Sequence, residues 1–176
     1  MSSPTGGDSL LADVRPASAG PRNQAWRWAG ISVLLAVVVL GAIGVFGVHS
    51  RTTSSTSSGY TLTVTYPQSA RAGLDVPLRV GVHHPGGISD DLILAISADY
   101  FRMIESQGTF PDPSDATNDG RFVYLTFSKP PAGDDFLVDF DVYIQPGSQL
   151  GKSATVKLIV GGHEVDRAAI RTWLVP

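Results

Sequence analysis

The chain contains no cysteine, which excludes disulfide bonds, thiolate metal ligands and cysteine nucleophiles. It also excludes a lipid anchor carried on a cysteine. Any folded domain in this chain is therefore held together by its hydrophobic core, without covalent cross-links. Charged residues are also scarce, at 16% of the 176 residues, and the net charge is −3. This composition argues against the positive field that nucleic-acid-binding proteins present.

The part of the chain that begins at Tyr60 is more acidic than the whole. It has nine basic and fourteen acidic residues, a net charge of −5. A field of this sign repels nucleic acids and anionic lipid surfaces. Lys129, Lys152 and Lys157 are scattered, and no glycine-rich phosphate-binding loop accompanies them. We therefore predict no nucleic-acid partner and no phosphate-containing cofactor.

One long apolar run, residues 28–48, carries no charge from Ala29 to its end. As a helix rising ~1.5 Å per residue it spans the ~30 Å hydrocarbon core of a bilayer. Trp26 precedes the run and Trp28 begins it, at the position where indole rings favour the membrane interface. Because signal peptides have shorter apolar regions of roughly 7–15 residues, we predict a retained signal anchor. The alternative is a signal peptide that is cleaved near Ser50.

The flanks of the run predict its orientation. Residues 1–27 are rich in Ser, Gly, Pro and Ala, and are predicted to be a disordered tail. Arg15, Arg22 and Arg27 precede the run, whereas Arg51 alone follows closely. The positive-inside rule therefore places the N-terminus in the cytoplasm and the C-terminal domain outside the cell membrane.

Two short features flank the end of the apolar run. Gly41, Gly44 and Gly47 recur every three residues, and on a continuous helix they would form one face for close approach of a partner helix in the membrane. Residues 49–59 are mostly Ser and Thr, and are predicted to be a flexible stalk because they cannot bury apolar surface.

Residues 60–176 switch to a period of two, which predicts β-strands. The clearest alternation is FLVDFDVYI, residues 136–144, with Phe136, Val138, Phe140, Val142 and Ile144 predicted to face inward. The other strands are predicted in YTLTVTY, VPLRVGV, LILAIS, RFVYLTF, ATVKLIV and VDRAAIRTWLV. Seven strands joined by Gly- and Pro-rich turns predict an all-β fold, an Ig-like antiparallel β-sandwich preceded by one transmembrane helix.

The stretch YTLTVTYPQSARAGLDVPLRVGVHHPGG is similar to the first two strands of many bacterial Ig-like modules: a strand, a proline, "AG" and a second alternating strand. From there to YIQPG the chain resembles a group of uncharacterised small bacterial single-pass membrane proteins, each with one anchor and one such domain. The resemblance covers Tyr60–Trp173 and part of the anchor. It implies the fold and the membrane location, and no catalytic or binding residues.

Residues 99–120 interrupt the regular rhythm of strands and turns. Insertions of this length are often functional, so we predict an interaction surface that includes Tyr100, Phe101, Met103 and Phe110. The alternative interpretation, which the length of the segment favours slightly, is a crossover between the two sheets whose aromatic side chains cap the core.

Motifs for metal binding are weak. Asp115, Thr117 and Asp119 have the spacing of the first half of a calcium loop, but NDG before an alternating run is also an ordinary hairpin turn, which we favour. His83 and His84 are adjacent, so on a strand they point to opposite faces and do not chelate one ion. We predict no metal site.

Catalytic motifs are equally weak. Asp139 and Asp141 lie about 7 Å apart on one strand face, a separation that a glycosidase would use, but their alternation with a core face favours a solvated outer surface. No Gly-x-Ser-x-Gly elbow is present. The sequence therefore predicts a non-enzymatic accessory or interaction module that engages another membrane protein. The alternatives are a module that binds a cell-envelope glycan and, less favoured, a hydrolase.

Overall fold

The computed structural model of the protein describes residues 20–44 and 47–175. The chain divides into two compact units, Met1–Val45 and Phe46–Pro176. Most of the predicted disordered tail, residues 1–19, lies outside the described residues. Its last residues are helical, because the first helix already begins at Pro21.

The first unit contains helix α1, Pro21–Ala42. Proline is favoured at the first helical position because its missing N–H has no partner there. The helix ends at a glycine: Gly44 has φ 76°, and the amide of Ile43 donates to the carbonyl of Val39. The 22 residues make α1 about 33 Å long. The helix is long and apolar enough to cross a membrane.

The bounds of α1 differ from the predicted 28–48, since the helix begins earlier and ends at Ala42. The left-handed conformation of Gly44 terminates it, and Gly47 lies in a bend. The prediction that Gly41, Gly44 and Gly47 form one helix face is therefore wrong, because only the first of them is helical.

Within residues 47–175, the second unit has eleven strands in two sheets. In chain order the strands are β1 (His49–Ser57), β2 (Tyr60–Ala70), β3 (Asp75–His83), β4 (Leu92–Ser97), β5 (Ile104–Phe110), β6 (Asp115–Asn118), β7 (Phe122–Phe127), β8 (Asp135–Ile144), β9 (Ser153–Val160), β10 (His163–Arg171) and β11 (Trp173–Leu174). A one-turn helix, α2 (Ala98–Phe101), follows β4.

The two sheets are antiparallel apart from one short parallel pairing. The first has the order β1-β2-β3-β8-β5, with β11 pairing parallel to β2, and the second has the order β10-β9-β4-β7-β6. Their inner faces share one continuous apolar core, as in a β-sandwich. All seven predicted strands are present. The four that were not predicted are β1, β5, β6 and β11.

The predicted register is confirmed along the strands. Strand β8 alternates strictly, with Phe136, Val138, Phe140, Val142 and Ile144 buried. The predicted inward residues of three other strands are buried in the same way: Leu62, Val64 and Tyr66; Val76, Leu78, Val80 and Val82; Ala154, Val156, Leu158 and Val160. Because apolar side chains stand at every second position, each sheet buries one face and exposes the other.

The segment predicted as a flexible stalk, residues 49–59, is instead strand β1 and the turn into β2. Its hydroxyl side chains pair with those of β2: Thr52 with Thr65 at 2.9 Å, and Ser54 with Thr63 at 3.1 Å. Threonine suits a half-exposed strand, and cross-strand hydroxyl pairs stabilise it. The prediction considered apolar burial alone and missed this second source of order.

Phe140 and Asp141 provide a matched test of the register. Phe140 is 3% exposed and Asp141 is exposed on the opposite face of the same strand. We expect Phe140→Ala to lower the free energy of unfolding by about 3–5 kcal/mol, and Asp141→Ala to change it by less than about 0.5 kcal/mol. Chemical denaturation measures both, and equal losses would show that the register is wrong.

Candidate interaction surface

The four residues predicted to form one interaction surface lie in different environments. Tyr100 is 0% exposed and Met103 1% exposed, both within the core. Phe101 is partly buried and packs against the core. Phe110, by contrast, is 80% exposed. The predicted surface is therefore wrong for Tyr100 and Met103, and Phe110 alone of the four has a side chain available to a partner.

The topology explains this distribution. Helix α2 carries the chain from β4 in the second sheet to β5 in the first. Side chains on such a crossover point into the gap between the two sheets, so their apolar groups close that end of the core. This arrangement corresponds to the alternative interpretation, in which the aromatic residues cap the sandwich.

Tyr100 is held by a buried hydrogen-bond chain. Its hydroxyl donates to Oγ1 of Thr172 at 2.7 Å, and Thr172 in turn donates to the carbonyl of Pro67 at 2.6 Å. Burial raises the pKa of the Tyr100 phenol to about 12. The chain links the crossover to β2 and to the C-terminal segment, so it has a structural role.

Phe110 borders an open groove of about 610 Å³ on the outer face of the first sheet. The ring belongs to the last residue of β5, an edge strand, directly opposite Asp139 on β8. Directly paired residues share a sheet face. The floor of the groove is formed by the outward positions of β3, β8 and β5.

Three carboxylates surround the groove: Asp75, Asp139 and Asp141. Asp139 accepts a hydrogen bond from Nε of Arg79 at 2.9 Å, and both side chains are roughly half exposed. Asp139 and Asp141 lie on the outer face, as predicted. Sequence reasoning missed Asp75, because its position beside the pair depends on the pairing of β3 with β8.

The segment with calcium-loop spacing is a hairpin turn between β6 and β7. The carboxylate of Asp119 accepts hydrogen bonds from the amides of Arg121 and Phe122 and from the hydroxyl of Tyr124. These bonds lower the pKa of Asp119, the backbone amides most strongly. Gly120 supplies the positive φ, 86°, that the turn requires. The carboxylate of Asp119 therefore stabilises the hairpin turn.

The adjacent histidines have separate partners. Nδ1 of His83 lies 2.8 Å from Oδ1 of Asp135, whereas the ring of His84 stacks on Tyr60 with centroids 4.1 Å apart. Within residues 20–44 and 47–175, no group of three or more His, Asp or Glu side chains is arranged to hold a metal ion.

Comparison with known proteins gives little similarity. No protein-family model matches the chain, and no curated protein sequence is similar to it. Among solved structures, one similar chain is the Pseudomonas fluorescens alkylpurine DNA glycosylase AlkC bound to DNA containing an abasic site analogue, at 13% identity and a TM-score of 0.31. The match covers 73% of this chain and 31% of the glycosylase chain, and at this TM-score it carries no argument.

The raised pKa of Tyr100 predicts a specific alkaline response. An unfolded tyrosine ionises near pH 10, so the stability that depends on neutral Tyr100 is complete below that pH and is lost as the pH rises towards about 12. In a spectroscopic pH titration, we expect one phenol to ionise later than the others, and we expect this late transition to be missing in Tyr100→Phe. At neutral pH this variant should lose about 1 kcal/mol of stability. Equal numbers of late-ionising phenols in both proteins would contradict the assignment.

Proposed function

We propose that the protein is a membrane-anchored interaction module that engages another membrane protein. Helix α1 is the retained signal anchor, the N-terminus is cytoplasmic and the sandwich lies outside the cell membrane. The groove beside Phe110 is the contact site. The observation that carries this proposal is one large apolar side chain, 80% exposed, at the edge of a well-formed sheet.

Support for the anchor comes from the composition of α1 and its flanks. Arg22 and Arg27 lie in the first two turns of α1, and its last turn contains no basic residue. This asymmetry favours a cytoplasmic N-terminus. A signal sequence near the N-terminus also passes a test of helix length and mean hydropathy, so the mass of the mature protein is the deciding measurement.

Support for an Ig-like sandwich comes from strand pairing. Ig domains pair strands A, B, E and D in one sheet and C, F and G in the other. Here β2-β3-β8-β5 and β4-β9-β10 have those neighbour relations. The β6-β7 hairpin and strand β1 are additions to that scheme. Ig-like sandwiches often recognise partners through edges and loops, an analogy of fold alone.

The groove also defines the chemistry of its partner. Burying the exposed ring of Phe110 against an apolar partner removes apolar surface from water, which is favourable. The carboxylates of Asp75 and Asp141 favour a cationic neighbour. A protein surface with an apolar side chain flanked by Lys or Arg satisfies both requirements. A glycan is the second candidate, because an aromatic ring and carboxylate acceptors in a shallow groove also suit sugar hydroxyl groups.

The anchor is tested on the mature protein from its own membrane. We expect it to resist alkaline extraction and to have the intact mass of the full chain. A new N-terminus near Arg51, with the protein released from the membrane, would overturn the anchor and leave the sandwich as a secreted domain.

The contact site is tested by placing a photo-crosslinking residue at position 110, with position 137 as the matched control. Leu137 is 56% exposed on the outer face of the same sheet but lies outside the groove. We expect a protein adduct from position 110 alone, and its loss in Asp75→Lys/Asp141→Lys with an unchanged melting temperature. Equal adducts from both positions would refute the groove as a specific site, and adducts to envelope glycan would support the second candidate.

A further inference from the structure

Five segments meet at the end of the sandwich where β1 begins, the His49 end: residues 71–74, 98–103, 119–121, 145–152 and 171–175. Backbone hydrogen bonds join them. The amide of Gln145 donates to the carbonyl of Met103, and that of Thr172 to the carbonyl of Lys152. Gly151 lies so close to the last segment that a Cβ there would overlap the carbonyl oxygen of Thr172. The segments at this end therefore form one continuous surface that is fixed by backbone hydrogen bonds.

Charge is segregated towards the His49 end. The five segments contain five basic and two acidic residues: Arg71, Arg102, Arg121, Lys152 and Arg171, with Asp99 and Asp119. Asp75, the first residue of β3, borders the same end, so the cations still outnumber the carboxylates there. Asp99 forms an ion pair with Arg102 at 3.1 Å. The loops at the opposite end, the Ser57 end, are residues 58–59, 84–91, 128–134 and 161–162. They contain Asp90, Asp91 and Asp134 but a single basic residue, Lys129.

Exposed apolar side chains accompany these cations. Leu74 is 42% exposed, Leu150 78% and Trp173 52%. The guanidinium of Arg171 stacks 3.7 Å from the centre of the Trp173 ring. Exposed leucine and tryptophan between basic side chains are the composition of surfaces that insert into the interfacial region of a bilayer.

We propose that the His49 end docks onto the anionic lipid headgroups of the membrane in which the chain is anchored. The basic side chains meet lipid phosphates, while Trp173 and Leu150 enter the interface. This proposal rests on the proposed function, since the anchor keeps the domain at the bilayer. Only six residues separate the end of α1 from the first strand, so an anchored domain stays at high effective concentration near lipid.

Net charge alone would argue against such docking, because residues from Tyr60 onward carry −5. The surplus of carboxylates lies elsewhere. Asp139 and Asp141 face the outer groove, and Asp90, Asp91 and Asp134 lie at the Ser57 end, whereas five cations outnumber Asp75, Asp99 and Asp119 at the His49 end. Surface attraction to anionic lipid falls off within a Debye length, so the local charge of the docking end governs contact. The resulting dipole also repels the Ser57 end and orients the domain.

The test uses Trp173 as a reporter in the full-length chain. The protein has three tryptophans, so Trp26→Phe and Trp28→Phe leave Trp173 as the single emitter. The chain is reconstituted in vesicles of equimolar phosphatidylcholine and phosphatidylglycerol, or of phosphatidylcholine alone, each with lipid brominated close to the headgroup. We expect Trp173 quenching to be roughly twofold or more stronger in the anionic vesicles and to fall with added salt.

Charge reversal provides the matched comparison. Arg102→Glu/Lys152→Glu should remove about half or more of the additional quenching, and Leu150→Ser should weaken it as well. Lys129→Glu, a reversal at the Ser57 end, should leave quenching unchanged. All of these side chains are exposed, and thermal unfolding confirms that the variants fold.

The outcomes separate the two proposals. In one outcome, the chain stays in the vesicles through an alkaline wash while Trp173 is quenched equally in both lipids, or while its quenching is unchanged by Arg102→Glu/Lys152→Glu. Either result overturns the docking and leaves the anchor intact. A chain that washes out of the vesicles overturns the anchor, and the tethered docking with it.

Discussion

The alternation of apolar and polar side chains along β8 and its neighbours is the constraint on which the rest of the structure depends. The chain has no disulfide to hold the two sheets together, so the sheets associate because each has one continuous apolar face. A shift of one residue in β8 would expose Phe136, Val138 and Phe140 and bury Asp139. The register of β8 therefore determines both which side chains are buried in the core and which carboxylates line the outer groove.

Buried polar groups occur where the sandwich must be closed. Thr172 joins Tyr100 of the crossover to the backbone of β2. At the junction of the two sheets, Oγ of Ser55 donates to Oδ1 of Asp166 at 2.7 Å, while Oδ2 of Asp166 has no hydrogen-bond partner among the described residues. Both contacts attach peripheral segments, the C-terminal segment and strand β1, that apolar packing alone holds weakly.

Sequence reasoning succeeded where the alternation of apolar and polar residues decided the structure. It failed where other interactions formed a strand without that alternation. Period-two patterning identified seven strands and their inward residues. Strand β1 was missed because its partners are hydroxyl groups on β2, and β5 because its outer positions, including Glu105 and Gln107, lack the alternation of a core strand. Phe110 was grouped with Tyr100 by sequence proximity, although the crossover separates them. A glycine near the end of the apolar run was the available signal for the end of helix α1.

Topology also changes how the charge of the chain should be interpreted. A sum over the sequence describes the field far from the protein, but a surface only a few ångströms away responds to the residues that face it. The antiparallel strands return Arg71, Lys152 and Arg171 to the His49 end, and place Asp90 and Asp134 at the other. Positions far apart in sequence thereby form one basic end on an acidic domain. In the two proposals, the carboxylates of the Phe110 groove meet a basic protein partner and the cations of the His49 end meet lipid, so the two contacts use different faces and need not compete.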